Sequence, residues 1–200
     1  MLNIINRISL SKKSKKLIKK LKREKGEFTV KTWSEINKSV KNEISRKLLF
    51  HHNPYCVYCE RLLLGTGNQI DHFVNKSNFP QFTFNTINLF YSCTYCNSSV
   101  RKGQKITVVA PINNNYKLCT FNIVHPLIHN PDAEILYQDT DKIYFDRINS
   151  SVLGNNTIDF FGWDDRQMTM LRARTLLNER LNRISDKDNR MLIEEIISYR

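Results

Sequence analysis

Two Cys-x-x-Cys pairs, Cys56/Cys59 and Cys93/Cys96, bracket an Asp71-His72 dipeptide. Zinc prefers four soft thiolates at tetrahedral corners, and two such knuckles deliver them from separate turns. A clamp of this kind joins two distant segments whatever the rest of the core does, and it encloses the residues between them. His51 and His52, just upstream, are further nitrogen donors, although four thiolates already complete a zinc site. Cys119, within Leu118-Cys119-Thr120-Phe121, reads as a small buried apolar group.

Composition agrees with a compact zinc-bearing protein. The 200 residues are 40% hydrophobic, enough for one core with helical extensions. Lys and Arg number 31 against 19 acidic residues, a formal charge of +12 that suits a polyanionic partner such as nucleic acid. Charge alone is a weak signal, because many solvated surfaces are basic. No secretory pattern opens the chain, and no stretch approaches the roughly 20 apolar residues that span a bilayer. The expected compartment is a reducing cytoplasm without membrane attachment, where paired cysteines hold metal rather than form disulfides.

Four segments follow along the chain. Residues 1–30 form a basic N-terminal arm or helix. Lys12, Lys13, Lys15, Lys16, Lys19, Lys20, Lys22, Arg23 and Lys25 surround a narrow stripe of Leu17, Ile18 and Leu21. This run is either a phosphate-tracking arm or a solvated tail. Residues 31–54 hold a packing helix. Thr32-Trp33-Ser34-Glu35 reads as a capping box with Thr32 as N-cap, and Trp33, Ile36, Val40, Ile44 and Leu48 form the buried face. Pro54 ends that helix.

Residues 55–105 are the cysteine-rich centre. Strands are expected over Ile70 to Val74 and Asn88 to Ser92, with an ordered loop between them and a helix from Thr94 onward. Residues 106–200 extend the same domain. Short strands are expected over Ile106 to Pro111, Tyr116 to Ile123 and Lys142 to Phe145. His125 and His129 flank a proline-marked turn and read as structural, with substrate or partner contact as the alternative. Trp163-Asp164-Asp165 opens a long arginine-rich helix with Met168, Leu171, Leu176 and Leu177 on its apolar side. Ser185-Asp186 breaks it before a last amphipathic helix using Leu192, Ile193, Ile196 and Ile197. The fold class expected is therefore α+β.

Hydrolysis of a phosphodiester needs a group to take a proton from water and a positive charge to stabilise the departing oxygen. A neutral histidine can do the first, and a divalent ion held by oxygen ligands the second. Asp71, His72, Asn88 and Asn97 supply those residue types inside the cysteine frame. Neighbours on an ideal strand point to opposite faces, so Asp71 and His72 share one site only if the strand twists or ends there.

Cys56-Val57-Tyr58-Cys59, Ile70-Asp71-His72-Phe73, Asn88-Leu89 and Ser92-Cys93-Thr94-Tyr95-Cys96-Asn97 resemble an HNH endonuclease of the ββα-metal class. That resemblance implies a hairpin crossed by a helix, with zinc on Cys56, Cys59, Cys93 and Cys96 as a structural support. His72 would be the general base. Asp71 and Asn97 would bind a catalytic Mg²⁺ or Mn²⁺, and Asn88 would brace the hairpin loop. Trp33, Glu60, the Asp71-to-Ser77 run, Pro80, Thr83-Phe84 and Thr157-Ile158 extend the likeness to PtuB-like nucleases of Septu and retron antiphage systems. Those work with a PtuA-like ATPase, and DNA is the default substrate, with structured RNA such as tRNA open. The chain departs from the pattern at Asn97, where many members carry His, at Asn75, where proline is common, and at Val100, near a frequent lysine. Lys76, Arg101, Lys102 and Lys105 are the residues expected at phosphates. Two other readings stand beside the nuclease: a non-catalytic zinc module that binds nucleic acid or protein, and an interaction subunit that cleaves only when docked on an ATPase.

Overall fold

The computed structural model describes residues 1–63, 68–181, 183 and 187–198, the last stretch without the side chains at 188, 190, 196 and 197. It is an α+β fold. Helices α1 (Lys12–Lys25), α2 (Thr32–Glu35) and α3 (Lys38–His52) precede a hairpin of β1 (Gln69–His72) and β2 (Leu89–Ser92). A second small pair, β3 (Val108–Val109) and β4 (Thr120–Phe121), is followed by α4 (Pro131–Glu134), α5 (Val152–Phe161), α6 (Arg166–Leu181) and α7 (Lys187–Ser198). Among the described residues, no helix is long and apolar enough to cross a membrane.

The first ten residues are anchored to the core through alternate side chains, while Asn3, Ile5, Asn6, Arg7 and Ser9 are exposed. Ile4, Ile8 and Leu10 are buried, and the Leu2 and Ile4 amides donate to the carbonyls of Val57 and Pro126, both at 2.9 Å. Ser11 caps α1, and its amide and hydroxyl both donate to Glu43 on α3 at 2.7 Å; buried Ser14 bonds the same carboxylate. Leu17, Ile18 and Leu21 pack against the core as their spacing predicts. This docking fixes which side of α1 faces water.

The packing helix is two helices. Thr32 is not an N-cap: it is buried, and its Oγ1 accepts from the Thr29 amide at 2.7 Å. The chain turns extended at Ile36, and Asn37 restarts the helix by accepting from the Ser39 amide at 2.9 Å. Ile36, Val40, Ile44 and Leu48 are buried, so the apolar periodicity is correct across a break it does not reveal. Asn53, left-handed at φ 46°, ends α3 ahead of Pro54.

β1 and β2 run antiparallel in the register Gln69↔Ser92, Ile70↔Tyr91, Asp71↔Phe90 and His72↔Leu89. The intervening loop is ordered by a 3-10 turn over Pro80–Phe82, with Phe82 and Phe84 buried. Beneath the hairpin, Phe73, Phe90, Phe121 and Tyr116 surround the fully buried His125, whose ring lies 4.4 Å from that of Phe73. His125 accepts from the Leu127 and Ile128 amides, so its role is structural.

Three expected elements differ. From Thr94 to Gln104 the chain makes successive turns rather than a helix: Asn97 bonds back to Cys93, Arg101 to Ser98, and Lys102 to Cys96. Two cysteines must face one point there, and Gly103 turns left-handed at φ 44°; both oppose a regular helix. The expected strand over 116–123 starts late, because Asn115 caps a 3-10 turn over Tyr116–Leu118. Residues 142–145 contribute one isolated bridge, Tyr137↔Phe145. Helix α5 has no counterpart among the expected elements. In α6, Asp165 accepts from the Met168 amide at 2.8 Å, as a cap should. Met168 is buried, but Leu177 is exposed. Arg172 turns inward, donating to the Ile143 and Trp163 carbonyls. The expected break at Ser185-Asp186 and the side chains of Ile196 and Ile197 lie outside the described residues.

Candidate metal centre and histidine site

The two knuckles bring the four cysteine sulfurs within 4.8 Å of one another. Cys59 Sγ lies 3.7 Å from Cys93 Sγ. A zinc–sulfur bond of about 2.3 Å implies a tetrahedral sulfur–sulfur edge of about 3.8 Å, so the donors fit that ion. The Cys93 amide donates to Cys56 Sγ at 3.3 Å and the Cys96 amide to Cys93 Sγ at 3.4 Å, contacts that favour thiolate. Hydrogen bonds from the Cys56, Cys59 and Cys96 thiols hold Cys93 far below the usual thiol range. Cys56, Cys93 and Cys96 are buried, which suits a closed structural site. His52 is not a ligand: its Nδ1 accepts from the Tyr91 amide at 3.2 Å.

Asp71 and His72 end β1 and diverge, as strand alternation requires. Asp71 is buried between two donors. Its Oδ1 meets Lys102 Nζ at 3.0 Å, and its Oδ2 accepts from the Tyr58 hydroxyl. The Tyr58 phenol is pushed well above its usual range by burial and by the adjacent carboxylate, so it keeps its proton. Lys102 is fully buried and also donates to the His72 carbonyl at 2.7 Å. It was expected at a phosphate and is instead an internal cation.

The His72 imidazole lies on the other side. Its Nε2 is 3.1 Å from the Thr83 carbonyl, and its ring meets Trp33 edge-on at 4.7 Å. Burial lowers its pKa to about 4, opposed by the charge of Asp71 and reinforced by Lys76 and Lys102. Asn88 is fully buried and ties down the intervening loop. Its Oδ1 accepts from the Val74 amide at 2.7 Å and the Tyr116 hydroxyl at 2.8 Å, while its Nδ2 donates to the Val74 and Phe82 carbonyls. The position of Thr83, and so of its carbonyl, follows from that staple.

Asn97 sits apart, donating to Gln69 Oε1 at 2.6 Å. Among the described residues, no hydrogen bond joins it to Asp71. A divalent ion shared by Asp71 and Asn97 therefore does not fit these donors as they stand, since an ammonium and a phenol already hold the carboxylate. Arg101 pairs with Asp165 and lies over the Tyr95 ring at 4.8 Å. Lys105 is exposed near Phe160, and Lys76 is half-buried without an ion pair among the described residues. Tyr58, Trp33 and Thr83 join the site as residues whose roles sequence reasoning missed. The first sits inside the Cys-x-Tyr-Cys knuckle, the one available signal; nothing local marks the other two as neighbours of His72.

No protein-family model matches the chain, and no curated protein matches it.

Proposed function

We propose that this chain is an HNH-type endonuclease that hydrolyses nucleic-acid phosphodiesters, with His72 as general base and zinc on the four cysteines as its scaffold. The observation that supports the reading is the state of the imidazole. A carbonyl can only accept, so the contact to Thr83 puts the ring proton on Nε2 and leaves the lone pair on Nδ1. Burial keeps the ring uncharged at neutral pH. A neutral imidazole held in one tautomer is what abstraction of a proton from water requires. Trp33 packs edge-on against the ring, and Asn88 fixes the loop that carries Thr83.

Added Mg²⁺ or Mn²⁺ belongs to the proposal only as a reaction component with no protein ligand assigned, because Lys102 and Tyr58 occupy Asp71. DNA as substrate, tRNA as the other candidate, and a PtuA-like ATPase as partner in antiphage defence belong to it as well. The cytoplasm is the compartment in which four reduced thiols hold zinc.

The clasp of Lys102 and Tyr58 on Asp71 favours a second reading, a zinc module that binds nucleic acid without cleaving it. One experiment separates them. The zinc-loaded full chain and its His72→Gln variant are incubated with duplex DNA, single-stranded DNA and tRNA, with and without added Mg²⁺ or Mn²⁺, alone and with the ATPase. The nuclease reading expects cleavage that depends on the added ion and falls by at least about 100-fold in the variant. Equal cleavage by both proteins removes His72 from the chemistry. Binding with no turnover in any condition leaves the second reading standing.

A further inference from the structure

A cleft of 620 Å³ opens between the first helix and the loop that follows Phe82, a size within the roughly 300–1,000 Å³ of ordinary ligand sites. Arg7, Lys12, Lys15, Lys16 and Lys19 line one side, and Phe84, Asn85 and Thr86 the other. No acidic residue lines it. The four lysines stand at i, i+3, i+4 and i+7, so they share one face of α1. The opposite face is committed to α3 through Ser14 and Glu43, which turns the lysine stripe into the cleft. All five cations are exposed, and among the described residues none of them forms an ion pair. Five exposed cations along one groove repel one another weakly through solvent, and an anion of matching length would neutralise them together. At about 1.5 Å per residue the stripe runs about 10 Å, the reach of a few successive phosphates.

The cleft also leads somewhere. Phe84, in its far wall, has its ring 5.8 Å from that of Trp33, and Trp33 meets His72 at 4.7 Å. One aromatic wall thus separates the cationic groove from the imidazole.

We propose that this cleft holds the phosphodiester backbone of a nucleic-acid strand and directs it toward His72. The contacts are to phosphate, so they position the strand without selecting its sequence. Arg101 and Lys102, occupied by Asp165 and Asp71, do not serve this purpose. The direction toward His72 rests on the nuclease reading, whereas binding in the cleft does not.

The test is fluorescence anisotropy with labelled duplex DNA, single-stranded DNA and tRNA, using the zinc-loaded full chain carrying His72→Gln so that cleavage does not intervene. A variant with Lys12, Lys15, Lys16 and Lys19 all changed to Gln is compared with one in which Lys31, Lys38, Lys117 and Arg174 are changed to Gln. Net charge falls equally in both, and circular dichroism checks that both keep their helices. The cleft variant should lose at least 10-fold in affinity for one or more of the probes. Its slope of log affinity against log salt should shrink by about 3 units, and the control should stay within twofold. Equal losses in both variants, or none in either, overturn the proposal. So does a cleft variant that loses binding to anionic phospholipid vesicles while keeping nucleic acid. Loss of binding in the cleft variant, together with no cleavage by the unmutated chain in any condition, with the ATPase included, keeps the groove and discards the nuclease.

Discussion

Lys102 lies wholly inside the protein, between the Asp71 carboxylate and the His72 carbonyl. A buried pair of this kind contributes little net stability, but stranding one member is costly. Lys102→Met alone should therefore destabilise the chain by about 3–5 kcal/mol in urea denaturation. Adding Asp71→Asn to it should recover a large part of that loss; a double variant as unstable as the single one would show that the pair is not the cause. His52 gives a pH dependence. Burial lowers its pKa to about 4, against about 6.5 in an unfolded chain. The unfolded state then takes up the proton first, so this contribution is complete above pH 6.5 and is lost as pH falls toward 4. The limit is about 3 kcal/mol. His125 and His72, lowered for the same reason, add to the slope. In zinc-saturated protein, His52→Gln should make the drop in melting temperature between pH 7 and pH 5 visibly shallower, and an unchanged drop would refute the assignment.

Helix α5 shows how context reverses a local rule. Ala is normally better than Gly inside a helix by about 1 kcal/mol. At Gly154 an added Cβ would fall 1.9 Å from the Glu134 carbonyl oxygen, where α4 ends against α5. Gly154→Ala should thus cost about 2 kcal/mol, read as a lowered denaturation midpoint; a stabilised variant would contradict the packing described. The same helix escaped the sequence reading because Gly154, Asn155, Asn156 and Thr157 are weak helix formers, and burial and the Ser151 cap decide the matter. The two strands were legible to within two positions, whereas their pairing as a hairpin came from the family resemblance alone. The break at Asn37 was not legible, because periodicity records which face is buried and is silent about a residue that competes to start a new helix. The helix expected from Thr94 failed for a related reason: the convergence of Cys93 and Cys96 on one cluster overrides local preference.

At the scale of the whole chain, the cysteine cluster was the most legible feature, because its spacing alone carries the chemistry. The surroundings of His72 were the least. Thr83, Trp33, Lys102 and Tyr58 come from separate segments, and no periodic pattern links them. The cysteine cluster ties the segment that carries Tyr58 to the one that carries Lys102. The Val57 amide donates to the Tyr91 carbonyl on β2, the Leu2 amide reaches back to Val57, and Tyr58 packs on Phe161 of α5 at 4.7 Å. Stripping zinc with a strong chelator should accordingly lower the melting temperature by at least about 10 °C in one cooperative step. Cys93→Ser should fall below one bound zinc per chain; full zinc content with unchanged melting would argue against the site. Tyr58 stands between two of the sulfurs, and its phenol reaches Asp71. An oxidant such as peroxide that attacks the thiolates would thus unfasten the acid on the hairpin in the same event, and damage to the scaffold would be felt at once beside the imidazole.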